Sequence, residues 1–294
     1  YDLGFRHFYR QTNTSASSAT SSNVQLFQII EAQDIASSGW NYTSSSSYIS
    51  VSFWVRSSLA GTYSIRLYTY DSNKNYTFQI TLSANTWTKI TQSIPGASGV
   101  TVNNDNGAGM FVSFSVFQGT NNTDSGFTAN QWATFDSSSQ APNYAQNWRA
   151  TGSATFDVTG VQLEVGNSAS DFEHRSFGEE LALCQRYYVN HGLGSNADAV
   201  VSPGRDAQYT HIRGTQVQFP VAMRNAPTVI IQSGSPNSMD RYGRGQETCY
   251  PQAEGISTFG FGVVRSRDSG GNNRAWTDNG LYINRAGYSA EAEL

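Results

Sequence analysis

Lysine is almost absent from this chain, and charge of either sign is scarce. Of its 18 basic residues only Lys74 and Lys89 are lysines, and charged residues make up 14% of the sequence, well below the roughly one quarter found in ordinary soluble proteins. The net charge is −4. Because phosphate backbones require a basic protein surface, this balance excludes nucleic acid as a partner. A polar, weakly charged surface favours contact with sugars, water or other subunits.

Cysteine and histidine are too sparse for a disulfide framework or a transition-metal site. The two cysteines are Cys184 and Cys249. A single bridge between them is an alternative that spacing does not test, and we interpret both as reduced. The four histidines are widely spaced and form no H-x-x-H or H-E-x-x-H motif. The sequence therefore predicts no zinc site and no cofactor.

Long hydrophobic runs are also missing. The sequence contains no stretch of 18 apolar residues, so we expect no membrane insertion. The chain begins at Tyr1 without a methionine or a signal-like region. We therefore expect an N-terminal anchor upstream of these residues.

Alternation of apolar and polar residues is what the sequence has in abundance. Between residues 24 and 165 apolar side chains recur at every second position, in runs separated by clusters of turn-forming residues. The segment YISVSFWVR, for example, places Ile49, Val51, Phe53 and Val55 on one face of a strand. Strands of this kind, separated by frequent turns, predict an antiparallel β-sandwich.

A second segment, TYSIRLYTY, carries polar and aromatic residues on the face that an alternating strand turns away from the core. Its apolar face holds Tyr63, Ile65 and Leu67. The opposite face holds Arg66, Tyr68 and Tyr70. This alternation predicts another strand of the sandwich.

One helix interrupts the β pattern. Ser176 and Glu179 form an S-x-x-E capping box, and Leu181, Cys184 and Tyr188 then recur at helical spacing. A capping box before such a run predicts the start of a helix. We predict that this helix covers residues 176–189.

The helix divides the predicted chain into two domains, because β patterning resumes after it. We assign residues 1–175 to a β-sandwich domain, of which residues 1–23 form an entry segment from an N-terminal part that is missing. Residues 176–294 comprise the linker helix and a second, smaller β-sandwich domain. The predicted fold class is therefore all-β, with one short helix between two β domains.

Several segments resemble a family of bacteriophage virion proteins. They are VQLFQIIEAQDI, YISVSFWVRSSLAGTYSIRLY, TWTKIT, NNDNGAG and above all VTGVQLEVGNSASDFEHRSFGEELALCQRYY. These are similar to tail-fibre or surface-fibre components of marine phages, in which a carbohydrate-binding-module-like jelly roll precedes a small C-terminal β domain. The likeness covers Val24 to about Tyr188, and VQFPVAMRNAPTV and YSAEAEL extend it more loosely. The segment NSASDFEHRS departs from the family's form, which is closer to STATPFEHRS.

The resemblance implies a location and a set of partners. It implies a jelly-roll fold for the first domain and a non-enzymatic tail fibre that recognises bacterial surface glycan during adsorption. A fibre of this family is expected to be a homotrimer that joins other virion proteins through its N-terminal part. The expected location is the virion, assembled in the cytoplasm of the host bacterium.

The stretch from Val161 to Tyr188 concentrates reactive side chains but predicts a structural joint rather than an active site. A hydrolase needs carboxylates on facing elements, or a nucleophile oriented by a base. Consecutive residues of an extended segment point in alternating directions and do not converge. The predicted interdomain or intersubunit joint consists of Glu173, His174, Arg175, Ser176 and Glu179.

Aromatic residues among amides predict glycan contacts in the first domain. Pyranose rings stack their C–H faces on exposed aromatic rings, and their hydroxyls pair with planar polar side chains. The candidate contacts are Trp40, Tyr42, Phe127, Trp132, Tyr144 and Trp148. The alternative is that these rings cover the ends of the sandwich or a subunit contact.

Two glycine-rich segments of the second domain, MDRYGRGQETCY and RSRDSGGNNR, predict a further recognition surface. Their candidate glycan contacts are Arg241, Arg244, Arg267 and Arg274. Arginine forks suit carboxylate or phosphate groups on bacterial glycans. The alternative is intersubunit pairing with acidic neighbours such as Asp240, Glu247 and Asp268.

Two loops are candidates for a structural calcium ion. DSNKN offers Asp71, Asn73 and Asn75 at alternate positions, and NNDNG offers Asp105. The first lacks the glycine and distal glutamate of an EF-hand loop, so Asx-turn chemistry is the alternative.

Three hypotheses for the function follow. The first is a tail fibre that binds host glycan, and the second is a capsid-decorating or head-fibre protein. The third is a glycan depolymerase, for which the sequence shows no paired-carboxylate signature and no β-helix repeat. Copy number in the virion distinguishes the first two hypotheses, and release of reducing ends identifies the third.

Overall fold

The computed structural model describes residues 4–191, 204–205, 212–213, 216–231, 238–241, 245–248, 250–267, 282–284 and 288–293. Contacts between Cα atoms divide the chain into two units, Tyr1–Glu173 and His174–Glu293. Each unit contains antiparallel sheets with their own buried apolar core.

The described residues of the first unit form nine strands. They are β1 Tyr9–Thr12, β2 Asn23–Glu31, β3 Tyr48–Ser57, β4 Gly61–Thr69, β5 Lys74–Leu82, β6 Thr88–Pro95, β7 Ala108–Gln118, β8 Trp132–Thr134 and β9 Thr155–Val165. A short helix, α1 (Ala32–Ser37), follows β2, and a 3-10 helix covers Trp148–Ala150. The sequence pattern did not predict α1.

The nine strands form two antiparallel sheets, ordered β1-β9-β3-β6 and β2-β7-β4-β5-β8. Apart from the extra edge strand β8, this is the strand order of a jelly roll, in which most successive strands cross between two facing sheets and β4 and β5 form a hairpin in one of them. The predicted jelly-roll sandwich is confirmed. The predicted entry segment needs correction, because β1 lies within residues 1–23 and pairs with β9 in the four-stranded sheet.

Alternation along the strands forms the core between the two sheets. Phe53 and Val55 of β3 meet Ile65 and Leu67 of β4 in one cluster, and each is 0–1% exposed. The ring of Phe53 packs edge to face on Phe114, with centroids 4.9 Å apart. Because each sheet turns one face to this core, every second residue of a strand lies on the outer face of its sheet.

Helix α2 (Phe177–Gln185) begins the second unit. The capping box is confirmed, because Ser176 Oγ accepts from the Glu179 N–H and the Glu179 carboxylate accepts from the Ser176 N–H. The predicted extent is wrong, since the helix ends at Gln185 and Tyr188 begins a strand. Cys184, which matched the helical spacing, is free and exposed.

The described strands of the second unit are also antiparallel. They are β10 Tyr188–His191, β11 Gly204–Arg205, β12 Ile212–Arg213, β13 Gln216–Gln218, β14 Thr228–Ile231, β15 Ser238–Arg241, β16 Gly245–Thr248, β17 Tyr250–Ser257, β18 Gly260–Arg267, β19 Tyr282–Asn284 and β20 Tyr288–Glu291. They pair as β10-β20-β14, β13-β18-β17, β16-β15-β19 and β11-β12. Phe219, Phe261 and Tyr288 lie at the centre of the core. The fold class is all-β, as predicted.

Candidate functional site

The outer face of the five-stranded sheet carries an unusual row of residues. Cross-strand pairing places Arg66 of β4 between Ser113 of β7 and Thr77 of β5, with Phe27 of β2 opposite Ser113. Arg66, Ser113 and Thr77 are buried, although their side chains point away from the core between the sheets. Something other than the second sheet must therefore cover them.

The cover is the long segment between β7 and β9. The Thr77 hydroxyl donates to the Gln140 carbonyl at 3.1 Å, and Arg66 Nη1 donates to Gln140 Oε1 at 2.7 Å. The Tyr144 phenol donates to the Ser115 carbonyl at 2.7 Å. These bonds hold residues 119–150 against part of the outer face.

Five aromatic rings border the part of this face next to Arg66. Tyr68 stacks on Phe111 at 5.1 Å and contacts Tyr70 at 5.1 Å and Phe135 at 5.3 Å, while Phe27 lies 5.9 Å from Phe111. Arg66 and these rings are named here the Arg66 cluster. The cluster consists of Phe27, Arg66, Tyr68, Tyr70, Phe111 and Phe135.

The guanidinium of Arg66 lies against two of these rings. Its Cζ is 5.0 Å from the Phe111 centroid and 5.3 Å from that of Phe135. Such cation–π contacts are worth about 1 to 2 kcal/mol when they are desolvated. Burial lowers the pKa of Arg66 to about 10, an effect opposed by the phenols of Tyr144, Tyr68 and Tyr70. Arg66 therefore carries a positive charge at neutral pH.

Two rings of the cluster reach the surface. Phe27 is 55% exposed and Tyr70 is 38% exposed. They lie on β2 and immediately after β4, and both contact Phe111 of the intervening strand β7. The cluster thus combines an exposed aromatic edge with a buried cation, which suits contact with the apolar face and polar substituents of a sugar.

The structure corrects the predicted glycan contacts Trp40 and Trp148. Both indoles belong to the core and are 3% and 1% exposed. Trp40 is held there by its Nε1, which donates to the Ser47 carbonyl at 3.3 Å. Side chains buried to this extent do not stack on a ligand, so neither belongs to the candidate surface.

The other predicted aromatic contacts are half-buried and mostly occupied by intramolecular bonds. Trp132 Nε1 donates to the Pro95 carbonyl at 2.7 Å, and the Tyr42 phenol donates to Val102 at 3.3 Å. Both rings pack on the core. The Tyr144 phenol is bonded to Ser115, and burial raises its pKa. Phe127 is half-buried in the covering segment. The structure does not bring these rings together as one exposed surface.

The predicted arginine surface of the second domain lies largely outside the described residues. Arg241 and Arg267 are the last residues of β15 and β18. Their side chains are outside the description, as are Arg244 and Arg274 altogether.

The candidate calcium ligands make turn contacts instead of sharing a site. Asp71 accepts from the backbone and side-chain amides of Asn103, and Asp105 accepts from the Gly107 N–H. Asn73 accepts from the Tyr68 phenol, and Asn75 is buried beside Thr77. Across the described residues, no group of three or more His, Cys, Asp and Glu side chains is placed to hold a metal ion.

The residues of the predicted joint lie at the boundary between the two units, which falls between Glu173 and His174. Glu173 donates its N–H to Gln162 Oε1 of β9 at 2.8 Å. Arg175 forms an exposed ion pair with Glu180 at 3.5 Å, and such pairs contribute little to stability. The role of this segment as a joint stays a prediction.

The outer face of the four-stranded sheet holds a second arginine group that the sequence did not reveal. Asp157 of β9 is 1% exposed and lies between Arg10 of β1 and Arg56 of β3 in the strand register. Arg10 binds it through Nε and Nη2 at 2.7 and 3.0 Å, and Arg56 through the same two nitrogens at 2.9 and 2.7 Å. Arg56 also lies 4.8 Å from the Trp87 ring.

No helix in the described part of the chain is both long and apolar enough to cross a membrane.

Comparison with protein-family models gives no match, and comparison with curated proteins gives none either. Two solved structures that resemble the chain are both of discoidin II from Dictyostelium discoideum. The recombinant form is 14% identical and the wild-type form 13%, each with a TM-score of 0.21. Each comparison covers 96% of this chain and 82% of discoidin II. At this TM-score the similarity carries no argument about function.

Proposed function

We propose that this chain is a non-enzymatic fibre component of a bacteriophage virion and that it binds a host-surface glycan through the Arg66 cluster. Two independent observations support the proposal. The sequence between Val24 and Tyr188 resembles phage fibre proteins with a carbohydrate-binding-module-like jelly roll. The outer face of that jelly roll then carries aromatic rings and a cation at adjacent positions. The assembly proposed with it is a homotrimer that joins other virion proteins.

The observation that carries the binding role is the exposed edge of the cluster. Phe27 and Tyr70 are large rings that remain 55% and 38% exposed while their neighbours Phe111 and Tyr68 support them from the sheet. Rigid rings on strands lose little conformational entropy on binding. Stacking a sugar on each ring is expected to supply about 1 to 2 kcal/mol.

A non-enzymatic role is proposed because the cluster offers one cation and five rings but no acid–base pair. Glycoside hydrolysis requires two carboxyl groups on either side of the bond that is cleaved. Within the described part of the chain, Arg66 has amide and aromatic neighbours and no carboxylate partner. Incubation with host envelope polysaccharide should therefore release no reducing ends.

The binding role is tested with polysaccharide extracted from the envelope of a bacterium to which the phage adsorbs. In biolayer interferometry, Phe27→Ala and Tyr70→Ala should each weaken binding by about tenfold, equivalent to about 1.4 kcal/mol. Phe259→Ala is the matched control, because Phe259 is a 67% exposed ring of the second unit and its removal should leave affinity unchanged. The proposed role is wrong if the wild-type protein does not bind, or if all three variants bind as the wild type does.

A further inference from the structure

Arg66 is a buried cation whose acceptors are all neutral. The residue is 5% exposed. Nη1 donates to Gln140 Oε1 at 2.7 Å and Nη2 donates to Gln25 Oε1 at a longer 3.2 Å, while Nε has no hydrogen-bond partner. Burying a charge without a counter-ion is costly, and an unsatisfied buried donor adds to that cost. A fold tolerates such a group more readily when a ligand completes it.

On the other sheet of the same domain, two arginines are paired with a carboxylate. Arg10 and Arg56 each present the edge formed by Nε and Nη2 to the carboxylate of Asp157. Arg56 also has two rings beside it, Phe8 at 5.6 Å and Trp87 at 4.8 Å, much as Arg66 has Phe111 and Phe135. The two aromatic environments are alike. The difference is that Arg56 has a carboxylate on its Nε/Nη2 edge and Arg66 has an amide oxygen on Nη2 alone.

The position of Gln25 gives this edge a route to solvent. Gln25 lies on β2, an edge strand of the five-stranded sheet, and is only partly buried. Phe27, two residues along on the same face, is 55% exposed. Gln25 Oε1 also accepts from the Ser113 hydroxyl at 3.0 Å. A planar anion that replaces the Gln25 amide would therefore meet Nη2, Nε and a hydroxyl donor at one point.

We propose that the Nε/Nη2 edge of Arg66 binds the carboxylate of an acidic saccharide, with the sugar ring against Phe27 and Tyr70. The inference rests on the proposed glycan-binding function and deepens it by naming the chemical class of the ligand. Carboxylate is favoured because its two coplanar oxygens match the guanidinium edge, as Arg10 and Asp157 show. Gln25 occupies the carboxylate position when no glycan is bound.

The first test compares two forms of one polymer. Host envelope polysaccharide is used either native or after chemical reduction of its carboxyl groups to primary alcohols, which removes the charge and keeps the sugar ring. In isothermal titration the wild-type protein should bind the native form at least tenfold more tightly. Equal binding of both forms overturns the carboxylate assignment while the glycan-binding role stands. A desulfated sample of the same polymer serves as a third form. If the affinity falls on desulfation and not on reduction of the carboxyl groups, the ligand group is a sulfate and the carboxylate assignment is wrong. Failure to bind either form overturns the proposed function together with this inference.

The second test places a carboxylate of the protein itself at the Nε/Nη2 edge of Arg66. Gln25→Glu is isosteric and places a carboxylate beside Nη2 and Nε, so it should abolish the preference for the native polymer and raise the unfolding temperature. Gln28→Glu is the matched control, since it adds the same charge to an exposed position of β2 and should retain the preference. A Gln25→Glu protein that keeps the tenfold preference contradicts the proposal. Equal loss of preference in both variants also contradicts it, because surface repulsion would then explain the loss.

A third variant tests Arg66 directly. Arg66→Met removes the charge but keeps an unbranched side chain between Phe111 and Phe135, and the preference for the native polymer should disappear. Arg10→Met removes one charge from the other sheet and should leave the preference intact. If Arg66→Met retains the preference, the carboxylate binds elsewhere.

Discussion

Asp157 and Arg66 show how differently one domain treats two buried charges. Asp157 is satisfied within the chain by Arg10 and Arg56 on the two neighbouring strands. Arg66 donates hydrogen bonds to two neutral amides and makes cation–π contacts with two rings, but it has no counter-ion among these partners. The first arrangement stabilises the fold, whereas the second is completed by a ligand in our proposal. Removing the charge of Asp157 should therefore lower the stability of the fold, whereas removing the charge of Arg66 should abolish the preference for the acidic polymer.

Asp157→Asn should destabilise the first unit by about 2 to 3 kcal/mol. The substitution leaves two arginines without their shared anion at a site where the carboxylate is 1% exposed, and breaking buried charged pairs is strongly unfavourable. Urea unfolding followed by tryptophan fluorescence measures the loss. Asp105→Asn is the control, because Asp105 is exposed and asparagine can make the same turn. Equal stability of the two variants would show that the pairing contributes nothing.

The same carboxylate should make stability depend on acid pH. Burial opposes its ionisation, but hydrogen bonds and charges from Arg10 and Arg56 outweigh that effect and lower the pKa of Asp157. A lowered folded-state pKa gives stability that is complete above the unfolded value of about 3.9 and is lost as the pH falls through the folded value. The stability difference between wild type and Asp157→Asn should therefore narrow below about pH 4. A difference that stays constant from pH 6 to pH 2 would contradict this linkage.

At the scale of single residues, the sequence predicts faces better than partners. Alternation placed Arg66, Tyr68 and Tyr70 on the outer face of one strand, and they lie there. Phe27, Phe111 and Phe135 join them only through tertiary structure, because β7 pairs with β4, β2 pairs with β7, and the segment after β8 brings Phe135 against Tyr68. No local pattern encodes that neighbourhood. For the same reason the partners of Asp157, which are 101 and 147 positions away in sequence, were not predicted.

Strand β9 illustrates how an element is shaped by one residue. Its pairing with β3 shifts register between Ser52 and Trp54, and Gly160 at that point has φ +59. A β-bulge with a glycine in the left-handed region turns the strand locally without steric cost. The ring of Phe5 lies directly where a Cβ on Gly160 would be. Backbone conformation and packing therefore both require glycine here.

Gly160→Ala should cost about 2 to 3 kcal/mol of folding stability, because the left-handed conformation alone costs about 1 to 2 kcal/mol and Phe5 must also move. Thermal unfolding of the purified protein measures the change. Gly152→Ala is the matched control, since nothing lies within 4 Å of a Cβ added there. An unfolding temperature for Gly160→Ala equal to that of the control would show that the bulge is not constrained in this way.

At the scale of elements, pattern and capping predicted where structure begins more reliably than where it ends. The Ser176 capping box fixed the start of α2, since its hydrogen bonds are local. The end was misplaced because Tyr188 matched the helical spacing but pairs with Glu291 of β20 instead. The long segment between β7 and β9 contributed four of the predicted glycan contacts, Phe127, Trp132, Tyr144 and Trp148. It lies over the outer face because Gln140 and Tyr144 bond to β4, β5 and β7, contacts that depend on tertiary structure.

The whole molecule is proposed to work as a fibre whose first unit meets the bacterial surface. Weak overall charge suits this role, since a net charge of −4 on 294 residues gives little long-range repulsion from an anionic envelope. Specific attraction can then depend on one buried cation. A decorating protein of the capsid would show a copy number tied to capsid symmetry, whereas tail fibres occur in small multiples of six.

Adsorption of the phage is the process that the proposed surface serves. Purified wild-type protein should occupy the receptor and slow adsorption in a dose-dependent way, whereas Phe27→Ala and Gln25→Glu should compete weakly. Phe259→Ala and Gln28→Glu should compete as the wild type does. Phe259 lies in the second unit, and Gln28→Glu does not place its carboxylate beside Arg66.

The most direct test of the central claim is therefore the rate of phage adsorption to host cells in the presence of saturating purified protein. Wild-type protein should lower the rate constant at least tenfold, and Gln25→Glu at the same concentration should leave it close to the uninhibited value. An unchanged rate with wild-type protein at saturation would contradict the claim that the protein binds the host glycan, and equal inhibition by both proteins would contradict the claim that Arg66 binds a carboxylate of that glycan.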